Sequence, residues 1–315
     1  MSARVAPAGP DAGRERFAHR AEFALFRVLR GAVSVLPERL ATRLAALLGT
    51  LAGSVLRIRR SDVDRHLEWA FPEKSRSERA RVARASYRHL AREFVVLFRY
   101  GAWSREQLVE RTRVSGLEEL REATEQAGGA LLLTAHLGNW EVGGAALAAR
   151  GLPVEAVVKG MANRRFERAL FATRARLGVR VVEMSEAPRE VLRSLRSGRV
   201  VAILGDQNAH RNGIFVPFFG RAAATARGSA TFALRTGVPA FLGFAVREPG
   251  WGQRYRVTVE RLPFEPTGDR DRDVTAFTTA YVSAVEDAVR RHPEQYFWQH
   301  KRWKTRPPEE PPEGG

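Results

Sequence analysis

The chain of 315 residues contains no cysteine. This absence excludes a structural disulfide, a zinc site built on cysteine, and an acyl thioester carried on the protein itself. It leaves the redox compartment undetermined. Hydrophobic residues make up 44% of the chain and charged residues 28%, which is typical of a folded globular protein with a sizeable core.

The sequence also lacks a long apolar run. A transmembrane helix needs about 20 apolar residues, whereas the best candidate, residues 40–56, is shorter and contains Arg43. The first twenty residues are polar and rich in arginine, so we expect no cleavable signal peptide.

The large apolar residues of segment 40–56 recur at helical spacing and form one stripe. They are Leu40, Leu44, Leu47, Leu48, Leu51 and Val55. Two interpretations stay open. The stripe packs in a core of helices, or it anchors the protein in a membrane interface with basic residues toward anionic headgroups.

Acidic residues are in the minority, with 35 Asp and Glu against 52 Lys and Arg, a net charge of +17 and a pI near 11.3. Such an excess predicts a polyanionic partner: nucleic acid, an anionic membrane surface or a phosphorylated substrate. No glycine-rich nucleotide motif is present, and His136 and Glu141 have no third ligand at a recognisable spacing. We therefore expect no cofactor and no metal.

Differences in composition and periodicity divide the chain into four parts. We predict a flexible N-terminus at 1–20, a helical membrane-associating region at 21–115, an α/β core at 116–306 and a disordered tail at 307–315. The predicted strands of the core are 131–134, 154–158, 179–182, 200–204, 238–246 and 255–259. Strands that alternate with helices predict an α/β fold with a central, largely parallel mixed sheet flanked by helices.

His136 directly follows a predicted apolar strand, at the end of the sheet where ligands bind in such folds. Glu141 lies in the first turn of the next helix, from which its carboxylate can fold back toward the imidazole. A carboxylate on one ring nitrogen fixes the tautomer and leaves the other nitrogen free to remove a proton from a substrate hydroxyl. The alternative is a histidine capping the sheet and a glutamate placed favourably at a helix N-terminus.

Six segments, in the same order along the chain, resemble the bacterial lipid A late (secondary) acyltransferase family. Residues 65–75 follow the family's N-L-x-x-x-F-P-E-x-S pattern with His66 in place of Asn, and His136 and Glu141 match its His-x4-acid motif. The other four are 158–163 with the Arg-x-Arg at 174–176, the Asp-Gln loop at 205–208, the Phe-Val-x-Phe-Phe-Gly at 215–220, and the long motif at 293–307. The Phe-Pro-Glu block that follows the histidine in glycerol-phosphate relatives here precedes it, which favours the lipid A branch.

The resemblance implies a glycerolipid acyltransferase type of fold and acyl transfer catalysed by His136 and Glu141. The implied donor is an acyl thioester of acyl carrier protein or coenzyme A, and the implied acceptor is a lipid or glycolipid hydroxyl. It assigns substrate binding to Arg174, Arg176, Asp206, Gln207 and Asn139. Each has a plainer alternative: the arginines as a solvated basic face near a helix C-terminus, and Asp206 as a loop residue that caps its own backbone.

Three functions remain in competition. The first is acylation of lipid A or a related glycolipid at the cytoplasmic face of the inner membrane. In that case the basic residues of the protein would bind anionic lipid. The second changes the acceptor to a lysophospholipid, a phosphoinositol mannoside or an amino-lipid. The third is a basic nucleic-acid-binding protein without catalysis, and we expect no nucleic-acid partner.

Overall fold

A computed structural model of the chain describes residues 10–308. Its helices are α1 (Pro10–Val35), α2 (Glu38–Thr50), α3 (Arg60–Ala70), α4 (Arg76–Arg99), α5 (Arg105–Arg111), α6 (Leu117–Ala127), α7 (Trp140–Ala149), α8 (Arg164–Arg176), α9 (Ala187–Arg196), α10 (Gly228–Thr236) and α11 (Arg270–Arg291). Its strands are β1 (Thr112–Ser115), β2 (Ala130–Thr134), β3 (Val154–Val158), β4 (Arg180–Glu183), β5 (Val200–Leu204), β6 (Ile214–Phe218), β7 (Arg221–Thr225), β8 (Ala240–Arg247) and β9 (Tyr255–Arg261). A π-helical turn, Leu51–Val55, continues α2.

Seven strands form one sheet in the order β1-β9-β8-β2-β5-β3-β4. Neighbouring strands are parallel except β8 and β9, which are antiparallel. Strands β6 and β7 form a separate antiparallel hairpin. The predicted α/β fold with a largely parallel mixed sheet is therefore confirmed.

The central strand β2 shows why helices cover both faces of the sheet. All five of its residues are buried. Because successive side chains of a strand point to opposite faces, Leu131 and Leu133 enter one hydrophobic core and Leu132 enters another. The first core includes residues of α9, α10 and α11, and the second includes residues of α6 and α7. Burial of each leucine contributes about 1.5–3 kcal/mol.

Two elements begin before the residues at which the predicted regions would place them. Helix α1 begins at Pro10, inside the segment predicted to be flexible, and its Phe26 ring contacts those of Phe98 and Phe166 with centroids 5.4 and 4.8 Å apart. Strand β1 precedes the predicted start of the core at residue 116, yet it pairs with β9 in the sheet. Tertiary contacts stabilise both elements, and local composition does not reveal such contacts. Residues 1–9 and 309–315 lie outside the described residues.

The apolar stripe of α2 and its π-helical extension faces away from the core. The residues of α2 that are buried are small, and the helix packs closely on α4 through them. They are Ala41, Thr42, Ala45, Ala46 and Gly49. The six large residues of the stripe are exposed, from 42% for Leu44 to 68% for Val55. The interpretation that this stripe packs in a core is therefore wrong.

Within residues 10–308, no single helix is both long enough and apolar enough to cross a bilayer, whereas the bent pair Glu38–Val55 and Arg60–Ala70, at 89°, meets both criteria together.

Helix α4 connects this N-terminal layer to the carboxyl end of strand β2. Its contacts are with Gly138 and Asn139, which lie in the turn after β2. His89 Nε2 of α4 is 3.4 Å from the carbonyl oxygen of Gly138, and Glu93 of α4 accepts a hydrogen bond from the Asn139 side chain. Helices α1 and α2 pack on α4. The exposed stripe therefore belongs to the helices that cover the carboxyl edge of the parallel strands.

Candidate active site

Two adjacent parallel strands bring His136 and Asp206 together. Strands β2 and β5 are in register, with Thr134 opposite Leu204, so the loops that follow them meet at one edge of the sheet. His136 Nδ1 lies 2.7 Å from Asp206 Oδ1, and the His136 backbone N–H donates to Oδ2 at 2.9 Å. Asp206 thus fixes both the ring and the backbone of His136.

The environment of Asp206 keeps its carboxyl ionised. The side chain is buried, and burial alone would raise its pKa. The charge of His136 and the two hydrogen bonds from that residue outweigh burial and lower the pKa of Asp206 below its ordinary value. An ionised carboxylate accepts hydrogen bonds only, so Nδ1 carries a proton, and in the neutral form of the ring Nε2 carries the lone pair.

The free lone pair of His136 faces the cavity, where Gln207 is its neighbour. The Gln207 side-chain nitrogen lies 3.1 Å from His136 Nε2. Since Nε2 is an acceptor in this tautomer, the Gln207 amide donates to it. The edge of the Trp140 ring also contacts the imidazole, with centroids 4.6 Å apart. The imidazole is therefore oriented on one nitrogen and has a replaceable neutral partner on the other.

Glu141 does not hold the imidazole, which corrects the expectation drawn from the His-x4-Glu spacing. Its Oε1 accepts from Arg174 Nη2 at 2.6 Å, and its Oε2 accepts from Arg174 Nε at 2.9 Å and from Tyr100 Oη at 3.0 Å. Burial alone would lower the pKa of Arg174, but the hydrogen bonds and charge of Glu141 raise it. The pair is therefore a closed bidentate ion pair, and Arg174 binds Glu141 in place of the expected acidic substrate group.

Two other predicted substrate-binding residues have structural roles. Asn139 caps α7, since its Oδ1 accepts from the Val142 backbone N–H at 2.9 Å, and it is buried. Arg176 Nη2 donates to the carbonyl oxygen of Trp103 at 3.0 Å. Neither side chain lines the cavity beside His136. The assignment of substrate binding to Asn139 and Arg176 is therefore corrected.

A buried polar network behind the turn was not predicted. Glu93 accepts from Arg247 Nε at 2.5 Å, from Tyr255 Oη at 2.7 Å and from Asn139 Nδ2 at 2.6 Å. Burial alone would raise the pKa of Glu93, but the charges of Arg247 and His89 lower it. The sequence offers no signal for this network, because its members come from a polar helix and two separate strands.

The long motif near the C-terminus supports the Asp206 loop. His300 Nε2 accepts from the Asn208 backbone N–H at 3.0 Å, and burial lowers the pKa of His300 to about 4, so its ring is neutral near pH 7. Arg302 is buried and donates to the Ala224 carbonyl oxygen at 2.6 Å. Through these contacts the long motif packs against the Asp206 loop and strand β7.

A cavity of about 680 Å³ begins at these polar groups and extends between the sheet and helices α7 and α8. Its polar lining includes His136, Gln207, His300 and the Glu141–Arg174 pair. Its apolar lining includes the buried side chains of Leu132, Leu147, Val154, Leu177 and Val179. The cavity thus combines polar groups around the histidine with a hydrocarbon-like wall. Among the side chains that the structure describes, no group of three or more His, Asp or Glu could hold a metal ion.

Comparison with known proteins identifies the family. Residues 14–305 match the family described as bacterial lipid A biosynthesis acyltransferase. The lipid A biosynthesis palmitoleoyltransferase of Escherichia coli is 28% identical over 278 residues, covering 86% of this chain and 87% of the relative. The lauroyltransferase of the same organism is 28% identical over 275 residues, covering 86% and 88%. A phosphatidylinositol mannoside acyltransferase of Mycolicibacterium smegmatis is 27% identical over 225 residues, covering 70% and 71%. The chain belongs to the bacterial lipid A biosynthesis acyltransferase family, and it is an enzyme that transfers acyl groups other than amino-acyl groups.

Proposed function

We propose that this acyltransferase moves a fatty acyl group from an acyl thioester to a hydroxyl of a lipid A precursor or a related glycolipid. His136 is the general base, and Asp206 orients it. One observation carries the proposal: a histidine fixed by a buried carboxylate lines a cavity whose wall is mostly apolar. A fatty chain in the cavity would hold its thioester carbonyl near His136.

The reaction needs two proton transfers, one to His136 and one from it, and no covalent enzyme intermediate. The acceptor hydroxyl takes the place of Gln207 at His136 Nε2 and gives its proton to that nitrogen. Its oxygen then attacks the thioester carbonyl, forming the C–O bond. As the tetrahedral intermediate collapses the C–S bond breaks, and the leaving thiolate takes the proton from the imidazolium. Asp206 stabilises the imidazolium between these steps.

Gln207 and Glu141 have supporting roles in this mechanism. Once displaced from Nε2, the Gln207 amide is a neutral donor close to the developing oxyanion. The Glu141–Arg174 pair closes one wall of the cavity and joins α7 to α8. Because its charges compensate each other at bidentate distance, the pair adds no net charge to the wall of an apolar cavity.

The charge of the protein supports acyl carrier protein, which is acidic, as the donor, with coenzyme A as the alternative. Lys159 and Arg227 line the cavity and are exposed to solvent, and the chain carries a net charge of +17. Cations at an active-site mouth raise the association rate of an anionic partner. The same charges suit a phosphorylated lipid acceptor.

The exposed stripe of α2 supports association with the inner membrane at its cytoplasmic face. With Leu25, Val28 and Leu29 of α1, which are also exposed, the stripe brings nine large apolar side chains to the surface of these helices. Exposed apolar patches mark sites of interaction with membranes or other proteins. Arg27, Arg39 and Arg43 belong to the same helices. Apolar side chains combined with arginines suit the interface of an anionic membrane.

A second acceptor class follows from the similarity to the mycobacterial enzyme, whose name specifies phosphatidylinositol mannoside. The test incubates the purified protein with acyl carrier protein thioesters and three acceptors: a lipid A precursor, a phosphatidylinositol mannoside and a lysophospholipid. Products are followed by mass spectrometry. We expect acyl transfer to the lipid A precursor and its loss in His136→Ala. Transfer to the mannoside alone would select the second acceptor, and normal turnover by His136→Ala would refute the mechanism.

The membrane association is tested with vesicles of phosphatidylglycerol and of phosphatidylcholine. We expect the protein to sediment with the anionic vesicles and the double variant Leu47→Asp/Leu48→Asp to stay in solution with an unchanged melting temperature. Equal sedimentation of both proteins would contradict a role for the stripe.

A further inference from the structure

Two consecutive glycines, Gly143 and Gly144, lie in the middle of the ten-residue helix α7. Glycine inside a helix is destabilising relative to alanine, because it loses more backbone entropy on folding. Each of these glycines therefore needs a reason in the tertiary structure.

Close packing accounts for Gly143. A Cβ atom built there would lie 3.1 Å from the Cβ of Ala245 on β8, which is tighter than an ordinary van der Waals contact. Gly143 is buried at this junction of helix and sheet. Its small size lets α7 approach the sheet.

Packing does not account for Gly144. The nearest atom outside its own helix that a Cβ there would meet is Cγ2 of Val179, at 4.0 Å. Its φ is not in the left-handed region, so alanine fits the backbone. The space beside Gly144 is the cavity that begins at His136.

The position of Gly144 along α7 shows where a side chain at this residue would narrow the cavity. Residues three and four apart share a helix face, so Gly144 lies one turn from Trp140 and Glu141 on one side and one turn from Leu147 on the other. All four line the cavity. A side chain at position 144 would narrow the cavity about one helical turn, or roughly 5 Å, below the polar groups.

We propose that Gly144 determines which acyl chains the enzyme accepts: the missing side chain keeps the cavity wide enough for long fatty chains. The inference rests on the proposed function, in which the acyl chain of the donor occupies this cavity. Helix stability and substrate length therefore make opposite demands at this residue. Gly144→Ala should stabilise the protein and at the same time disfavour long acyl chains.

The experiment compares wild type, Gly144→Ala, Gly144→Phe and the control Gly31→Ala. Gly31 lies inside α1, is exposed, and a Cβ there would meet nothing within 4 Å. Each protein receives an equal mixture of octanoyl, dodecanoyl and hexadecanoyl carrier protein with the lipid acceptor, and product masses give the ratio of long to short chains. Melting temperatures are recorded with and without the corresponding free fatty acids, a readout that needs neither donor nor acceptor.

We expect both Gly→Ala variants to melt roughly 1–3 °C higher than wild type. The ratio of long to short chains should fall about tenfold or more in Gly144→Phe, less in Gly144→Ala, and stay unchanged in Gly31→Ala. Stabilisation by hexadecanoic acid should fall in the same order.

Two outcomes would overturn the inference, and they are distinguishable. If wild type transfers acyl groups and folded Gly144 variants keep its chain-length ratio, the role of Gly144 is wrong and the proposed function stands. If wild type neither transfers any chain nor is stabilised by any fatty acid, the proposed function fails and the inference fails with it.

Discussion

The turn between β2 and α7 separates two polar clusters built from similar residue types. On the cavity side, Asp206 holds one nitrogen of His136, and the other nitrogen has only the replaceable amide of Gln207 beside it. On the inner side, Glu93 accepts from Arg247, Tyr255 and Asn139, and all are largely shielded from water. The first cluster can take part in chemistry, because a substrate can replace Gln207 at His136. The second cluster fixes the structure, because every partner of Glu93 belongs to the protein.

The Glu141–Arg174 pair is intermediate between the two clusters. The pair lines the cavity, as His136 does. Both carboxylate oxygens of Glu141, however, accept hydrogen bonds from protein side chains, as those of Glu93 do. The acid that follows the histidine at fixed spacing in the sequence is therefore not the acid that contacts the histidine in the fold. Three comparisons of variants sharpen this distinction.

The largest expected effect comes from separating the two candidate carboxylates of the base. Asp206→Asn should lower kcat by about 10²–10⁴-fold, because an amide can donate to Nδ1 and favour the wrong tautomer. Glu141→Gln should lower kcat by about tenfold, because it weakens one charge-assisted contact. Steady-state kinetics at saturating donor measures both. A larger loss in Glu141→Gln than in Asp206→Asn would restore Glu141 as the partner of His136.

The next effect concerns stability and the sealed network. Glu93→Gln leaves the guanidinium of Arg247 buried without its counter-charge and should lower the free energy of unfolding by about 3–5 kcal/mol. Urea denaturation measures this loss. Removing a single neutral donor with Tyr255→Phe should cost only about 1 kcal/mol. If Glu93→Gln lowered the free energy of unfolding no more than Tyr255→Phe, the ion pair between Glu93 and Arg247 would contribute little to stability.

The same variant has a defined pH dependence. The folded-state pKa of Glu93 lies below its ordinary value of 4.5, so its contribution to stability is complete above that pH. The contribution is lost as the pH falls from 4.5 through the folded-state value. The difference in stability between wild type and Glu93→Gln should therefore shrink as the pH falls below about 4.5, and a constant difference would contradict the assignment.

The smallest effect is expected at the second arginine of the Arg-x-Arg motif. Arg176→Ala removes one hydrogen bond to a backbone carbonyl and should change the free energy of unfolding by about 0.5–1.5 kcal/mol with little change in kcat. Arg174→Ala should reduce activity more, because it leaves Glu141 without its partner at the cavity wall. Equal effects on kcat would indicate that Arg176 also contributes to the site.

The order of strands and helices was predictable because it depends on local periodicity. The four apolar positions that begin β2 and the apolar run of β5 mark buried strands, and both are found where predicted. Short elements held by distant partners were missed: β1 offers four mixed residues and is a strand because β9 lies beside it. The stripe of α2 gave the right periodicity but not the direction in which it faces.

The sequence by itself determined the fold class and the family motifs, and it led to the proposal of His136 as the base, because each depends on neighbouring residues and their spacing. Only the tertiary structure decided which carboxylate orients His136, since Asp206 reaches it from seventy residues away across two adjacent strands. It also decided that Asn139 and Arg176 support the framework and that Gly144 borders open space. These properties depend on contacts between residues that are distant in the sequence, and only the folded chain brings such residues together.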